Sequence, residues 1–403
     1  MDFEFTKEQQ KFRKEIRDFC RTTPYGESDG RIGPDFSPEF YSKVARKGWL
    51  GLTLPQEYGG QGKGLIEATI FSEEMAYHQA PMNLGGFGTH ALLFGKILLD
   101  HGNEQQKKYY LPGIAKGEMW IGQAFTESIG GSDLLSNTTH AVRKGDYYII
   151  SGEKMFNSWA HKGQYLRNYN IKHQVCLLAR TSQNSSPDKS MSLFIFDGTI
   201  PLPGMSVRPI FTMGPITNEV FFDDVKIPAE GLIGSENQAW DYVVESGAFY
   251  WNRHFGTHIE MQRVLQEIVK YVKGTQVDGK PMSQNALVRY RLAELAVAVE
   301  RLRLHNYRLA WAFDKGFDIT GLGAIAKFQS DKTAMVFADV LTRIVGPYGQ
   351  LTKDTPYAPL HGALEAIYKG GIYRSFSTTG PSAMPSVISG YVLGLPNEFG
   401  LIY

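Results

Sequence analysis

The hydrophobic period changes twice along these 403 residues, and the two changes constrain the fold class more than any other feature. From Trp120 to about Gly234, short β-branched and aromatic runs such as Val175-Cys-Leu-Leu-Ala-Arg and Met191-Ser-Leu-Phe-Ile-Phe alternate with polar and Pro/Gly turns. That punctuation reads as a small β-barrel or sandwich. On either side the apolar residues recur at helical spacing. Thr6 followed by Gln9 predicts a capping box opening a helix with Phe12, Ile16 and Phe19 on one face. A second helix begins at Pro38 and stops at Gly48, residues 65–77 and 91–100 carry further helical spacing, and 85–88 form a glycine-rich connector. Beyond Asn237 the spacing predicts helices over 239–255 running into 261–271, then 287–313 and 323–345. An α+β chain in three parts follows: a helical domain over 1–119, a β domain over 120–234 and a second helical domain over 235–403.

The totals exclude several classes. With 42% apolar and 21% charged residues the chain is ordinarily globular and long enough for two or three cored domains. A formal net charge of +1 gives no electrostatic case for nucleic acid or an anionic membrane as partner. Cys20 and Cys176 stand alone, without C-x-x-C spacing, as in a disulfide-free cytoplasmic protein. The first residues are acidic where a signal peptide needs bases, and no run approaches a membrane span. There is no G-x-G-x-x-G after a strand, no G-x-S-x-G elbow and no H-E-x-x-H, so the nicotinamide, hydrolase and zinc readings lack their motifs.

The densest chemistry lies in residues 120–165. Thr126, Ser128 and Ser132 place hydroxyls beside Gly130 and Gly131, a pairing that lets backbone N–H groups approach a polar ligand, although a surface turn would read the same way. Further on, Lys144-Gly-Asp and Ser151-Gly-Glu interrupt β-rich runs and predict strands joined by tight turns. Phe125-Thr-Glu-x-x-x-Gly-Ser-Asp, followed some twenty residues later by Gly152-Glu-Lys-x-Phe-x-Ser, resembles the acyl-CoA dehydrogenase family. So do Gly51-Leu-Thr-Leu-Pro-Gln-Glu-Tyr-Gly-Gly, Asn103-Glu-Gln-Gln-Lys-Lys-Tyr-Tyr-Leu-Pro, Asn218-Glu-Val-Phe-Phe-Asp-Asp-Val-Lys-Ile-Pro and Gly346-Pro-Tyr-Gly-Gln.

The resemblance implies an N-terminal α-helical domain, a middle β-barrel and a C-terminal four-helix bundle. It implies an FAD oxidoreductase of lipid metabolism that introduces a Cα–Cβ double bond into an acyl thioester carried by CoA or an acyl-carrier protein. Electron-transfer flavoprotein or another acceptor would reoxidise it, and the assembly would be a homo-oligomer or a heteromer of homologous subunits. Matching positions put Gln123, Ala124, Phe125, Thr126, Gly131 and Ser132 on the flavin, with Phe156, Asn157 and Ser158 along its ring and the Ser158 hydroxyl near N5. Trp159 and His161 follow the pattern of the branch that handles bulky, including steroid-derived, thioesters.

The same resemblance exposes a deficit. The family's catalytic carboxylate usually sits shortly before a C-terminal Leu-Gly-Leu-Pro, here Leu393-Gly-Leu-Pro, and the matching residue is Thr378, which has only its backbone N–H to offer. A neighbouring stretch, Tyr368-Lys-Gly-Gly, would seat Lys369. In a second group of members the acid precedes an Arg, and here Asn252 precedes the retained Arg253. Neither seat holds a carboxylate. His90 is the best substitute base by position, since imidazole titrates near neutrality. Glu245 lies two helical turns from Asn252, about 10 Å away. Arg343 replaces the usual Gln that serves a neighbouring subunit's flavin, Lys273 or Lys280 stands near the basic position, and Ser382 departs from the usual tail. The stripes Leu292/Leu295/Val299/Leu302 and Ile325/Phe328/Met335/Val336 are expected to meet other subunits. Two readings remain: an oxidoreductase with a substitute base or a sister chain that supplies the acid, and a silent flavin- or partner-binding homologue.

Overall fold

The computed structural model describes residues 3–24, 36–82, 87–158, 160–213, 216–246, 257–353, 355–377 and 383–396. The chain packs as two compact units, one built from 1–37, 64–84 and 253–400, the other from 38–63, 85–252 and 401–403.

The first unit is helical. Thr6 and Gln9 form the expected reciprocal cap, and helix Lys7–Thr22 buries Phe12, Ile16 and Cys20. Phe19, expected on that face, is only half-buried, because Cys20 holds the position one full turn beyond Ile16. Helix Leu65–Tyr77 is buried over most of its length and has no side-chain cap of its own. The Asp314 carboxylate takes that role from across the unit, accepting from the backbone N–H of Leu65 at 2.6 Å and of Ile66 at 3.1 Å. Gly64 makes this possible, since a Cβ there would lie 2.5 Å from Asp314 Oδ2.

Helices Thr257–Gly274, Ala286–Asp314, Thr320–Val345 and Ala363–Phe376 enclose a core that includes Met261, Val264, Ile268, Phe337, Leu341 and Leu364. The stripe Leu292, Leu295, Val299 and Leu302 points into that core. It was expected to meet another subunit; the chain's own helices cover it instead. Outward, the helix 286–314 shows Leu287, Tyr290 and Val297, while on 320–345 Met335 and Val336 are exposed and Ile325 and Phe328 half-buried. A buried polar knot ties two of these helices and helix Leu65–Tyr77 to the N-terminal one. Glu73 accepts from His258 Nε2 at 2.6 Å, Arg13 Nη2 at 2.6 Å and the Tyr307 hydroxyl at 2.5 Å.

The second unit carries a mixed sheet. Its strands are β1 (Met119–Ala124), β2 (His140–Lys144), β3 (Tyr147–Lys154), β4 (Lys172–Arg180), β5 (Met191–Asp197), β6 (Met205–Ile210), β7 (Thr217–Pro228) and β8 (Leu232–Ile233). They run in the order β6-β7-β3-β2-β4-β5-β8, with β1 added against β4. The β1–β4 and β2–β4 pairs are parallel and the others antiparallel. Tyr148, Ile150, Leu177, Phe194, Val225 and Ile227 alternate into one core.

Gly145, at φ 66°, makes the expected tight turn between β2 and β3. Ser151-Gly-Glu does not make a second one. The strand continues through it as a β-bulge, where the register against β7 slips between Ile150 and Gly152. Gly152 sits at φ 140°, and a Cβ on it would come within 2.5 Å of Thr139 Oγ1, so close approach of the chain entering β2 explains this glycine. The helix expected over 91–100 begins instead as a π-helical stretch, Gly88–Phe94, and becomes α-helical over Gly95–His101.

Candidate active site

The segment after β1 is held by charges buried beneath it. Lys154, at the end of β3, is fully buried, and its Nζ donates to Phe125 O at 3.0 Å and to Glu127 Oε1 at 2.8 Å. Glu127 also accepts from Thr138 N at 2.6 Å, Thr138 Oγ1 at 3.0 Å and Thr139 N at 2.9 Å. Burial pushes the Lys154 ammonium down to about 8 against the pull of Glu127. Burial also works against ionised Glu127, but Lys154 and the donors of Thr138 and Thr139 bring its carboxyl below the ordinary range. Asn137 Nδ2 donates to Phe125 O at 2.5 Å and completes the frame.

Within the loop, the N–H of Gly130 is taken by Glu127 O at 3.2 Å, and a Cβ at Gly130 would lie 2.2 Å from Ser136 Oγ. This glycine therefore serves packing within the turn, the second of the two readings its sequence allowed. Gly131 is tighter than usual only against Thr126 Cγ2, at 3.0 Å. Ser128 bonds Glu153. Ala124 and Phe125 are buried, Gln123 and Thr126 are half-buried, and Ser132 is exposed.

Directly after β3 the backbone turns left-handed at Phe156, φ 58°, an unfavourable conformation for a bulky residue. Its flanks are fixed on both sides. Met155 N donates to Thr126 O at 2.8 Å, Asn157 N to Asn218 O at 2.9 Å, and Asn218 Nδ2 to Asn157 O at 2.6 Å. The Phe156 side chain is consequently turned outward, 53% exposed, with half-buried Ser158 two residues on. Asn157 Nδ2 and Thr217 Oγ1 are buried nearby without a hydrogen-bond partner. A presented aromatic face, hydroxyls and unpaired buried polar atoms suit a flat, polar aromatic ligand such as the flavin of FAD.

His90 lies in the π-helical stretch and is 3% exposed. Its Nδ1 accepts from Ile121 N at 3.1 Å, and its ring meets Trp120 edge-on at 4.5 Å. Burial, with His173 nearby, pushes the imidazole down to about 3. Arg343 is exposed and bridged to Asp339 at 2.8 Å, Lys369 to Glu365, and His101 to exposed Glu245 at 3.4 Å. Trp159, Asn252, Arg253, Thr378 and Ser382 lie outside the described residues.

Among the described residues the buried carboxylates are Glu73, Glu74, Glu127 and Asp331. Each already faces a cation: Arg13, then Arg13 and Arg17, Lys154, and Lys327. Glu73 illustrates the effect, for burial opposes its charge yet His258, Arg13 and Tyr307 hold its carboxyl at about 2.

Sequence reasoning missed Glu127, Lys154, Asn137 and Asn218 as the frame of this site. The available signal was a glutamate and a lysine inside an otherwise apolar β region, which burial permits only as a pair.

Comparison with known proteins places the chain. The N-terminal, middle and C-terminal domain models of the acyl-CoA dehydrogenases match residues 6–118, 122–225 and 247–370. Acyl-CoA dehydrogenase FadE26 of Mycobacterium tuberculosis is 27% identical, covering 98% of this chain and 99% of that one. Of solved structures, the Tcur3481-Tcur3483 steroid ACAD superposes with a TM-score of 0.85 at 25% identity, over 99% of this chain and 100% of that chain. The ChsE4-ChsE5 complex from Mycobacterium tuberculosis gives 0.81 at 27% identity, over 98% and 100%. The chain therefore belongs to the acyl-CoA dehydrogenase family, whose members bind FAD and act as oxidoreductases on the CH–CH group of acyl-CoA.

Proposed function

We propose that this chain takes part in forming a Cα–Cβ double bond in a bulky acyl thioester, as one subunit of a heteromer whose homologous partner supplies the carboxylate base. The observation that carries the reading is that every buried carboxylate among the described residues is committed to a cation, while the two usual seats of the acid hold Thr378 and Asn252. A carboxylate that must take a proton needs a pKa closer to neutrality than such pairs allow. His90 is a poor substitute, because Nδ1 already accepts from Ile121 and burial holds the imidazole down at about 3, which makes it a weak base.

FAD, when bound, supplies the acceptor for the hydride equivalent from Cβ. Gln123, Ala124, Phe125, Thr126, Gly131 and Ser132 would line it, with Phe156, Asn157 and Ser158 along the ring. Arg253 and the Thr378 N–H would serve the thioester end, and Arg343 a neighbouring subunit's flavin. The names of two similar structures, Tcur3481-Tcur3483 and ChsE4-ChsE5, each pair two chains, which supports assembly with a different homologue. The word steroid in the first supports a bulky acyl group. Acyl-CoA is the simpler thioester, with an acyl-carrier protein as its alternative, an electron-transfer flavoprotein as acceptor and the cytoplasm as the location. No described helix is long and apolar enough to cross a membrane.

The test is expression alone and with a homologue that carries the acid, followed by flavin absorbance under anaerobic thioester. The pair is expected to bleach and the single chain to keep its oxidised spectrum. Bleaching of the single chain at the rate of the pair overturns the partner's role, and failure of both to take up FAD overturns the flavin site.

A further inference from the structure

Resting on that flavin reading, we infer that Asn218 is a positioning residue: its side chain locks the left-handed turn at Phe156 and thereby aims the Phe156 ring and the Ser158 hydroxyl at the cofactor.

A phenylalanine at φ 58° does not hold itself there, because its Cβ crowds the backbone in the left-handed region. The conformation persists only when neighbours over-determine it, and here they are countable. On the N-terminal side Met155 N is anchored to Thr126 O at 2.8 Å. On the C-terminal side Asn157 is gripped twice by one residue: its N–H donates to Asn218 O at 2.9 Å, and its carbonyl accepts from Asn218 Nδ2 at 2.6 Å. Both asparagines are buried, with Asn218 fully inaccessible, so no water substitutes for the amide donor. Asn218 is the second residue of β7 and lies opposite Pro209 of β6, so the grip is fixed to the sheet and not to a loop. Phe156 gains little burial from this arrangement, being half-exposed. A strained aromatic residue held outward by a rigid support is a device for presenting its face to something else.

The experiment combines Asn218→Ala with Phe156→Gly in a double-mutant cycle and reads two quantities. The first, on FAD-free protein, is hydrogen–deuterium exchange of the peptide spanning 155–158. Asn218→Ala is expected to speed it, and Asn218→Ser, which keeps a donor, to speed it less. The second is FAD affinity with the visible circular dichroism of the bound flavin. Asn218→Ala is expected to weaken FAD by about tenfold and to change the dichroism, as befits one lost buried hydrogen bond. In the Phe156→Gly background, where glycine adopts the left-handed turn unaided, the same change should weaken FAD less than about threefold. Should Asn218→Ala fold poorly, the isosteric Asn218→Asp removes the same donor. Unchanged exchange, or an equal loss of FAD affinity in both backgrounds, overturns the proposal. Faster exchange with unchanged affinity and dichroism also overturns it, since the lock would then serve packing alone. Wild-type protein that takes up no FAD defeats the underlying flavin reading instead, a result separately visible from the exchange data.

Discussion

Lys154→Met tests whether the buried charges beneath the segment that follows β1 govern its stability. The side chain it removes is inaccessible and bonds two groups, Phe125 O and Glu127 Oε1. Methionine fills a similar volume, so little of the effect is a cavity. What remains is Glu127, buried, negative and without its cation, though it keeps the donors of Thr138 and Thr139. Stranding one member of a buried pair costs about 3–5 kcal/mol, and the three remaining donors place the cost near the lower end, roughly 3 kcal/mol.

The reverse change, Glu127→Gln, strands an ammonium that burial already holds at about 8. Without its carboxylate that group falls further and sheds its proton near neutrality, so the loss is smaller, about 2 kcal/mol at pH 7. The double variant buries no charge, and its loss should fall at least 2 kcal/mol short of the sum of the single losses. Calorimetry reads this directly: for a unit of this size roughly 2–4 °C accompanies each kcal/mol, giving a fall of about 6–12 °C for Lys154→Met. Additive losses, or a Lys154→Met shift under about 2 °C, would refute the reasoning.

Two further outcomes concern the helical unit. Glu73 sits at about 2 against an ordinary value of 4.5, so the unfolded chain binds its proton first as pH falls; its contribution, roughly 3 kcal/mol, is complete above pH 4.5 and disappears toward pH 2. Urea midpoints between pH 3 and 7 should therefore fall less steeply in Glu73→Gln than in the parent, and equal slopes would count against this account. Asp314→Ala removes the cap of helix Leu65–Tyr77 and should cost about 1–2 kcal/mol, with Asp314→Asn losing less because one acceptor survives; a midpoint unchanged in both would show that the cap is idle.

What the sequence made legible was local. The Thr6/Gln9 box, the Lys144-Gly-Asp turn and the helical spans 65–77 and 323–345, the latter starting three residues earlier in the structure, follow from contacts within a few residues, and spacing encodes those. The bulge at Gly152 misled because its cause, the approach of Thr139, lies on another stretch of chain, just before β2. Gly130 read equally as a ligand's glycine or a turn, and the crowding by Ser136 and the Asp133 carbonyl that decides for packing is a matter of loop conformation, which residue types alone do not encode. The stripe on helix 286–314 was visible as a stripe, but periodicity says that a face is covered and not by what. At the site, the residue types Phe156 and Ser158 were readable from the motif. The left-handed backbone at Phe156 was not, because it depends on Asn218, sixty-two residues away.

The distribution of buried charge separates the two duties of an active site in this chain. Supporting a cofactor needs ionised groups that stay ionised or paired, and Glu127 with Lys154 is such a pair, one whose partners hold the backbone on both sides of it. Proton abstraction needs the opposite: a carboxylate with no dedicated cation, poised to change state. The buried acids of the described residues are all of the first kind. At the two positions that the resemblance matches to such an acid, the residues are Thr378 and Asn252, whose hydroxyl and carboxamide accept no proton near neutrality. Converting Asn252 to Glu therefore asks a direct question of the heteromer proposal. If the rest of the site is competent, Asn252→Glu alone should confer slow anaerobic bleaching of the flavin by thioester on the single chain, without a partner. A variant that binds FAD and thioester yet never bleaches would show that more than the missing carboxylate separates this chain from an unaided dehydrogenase.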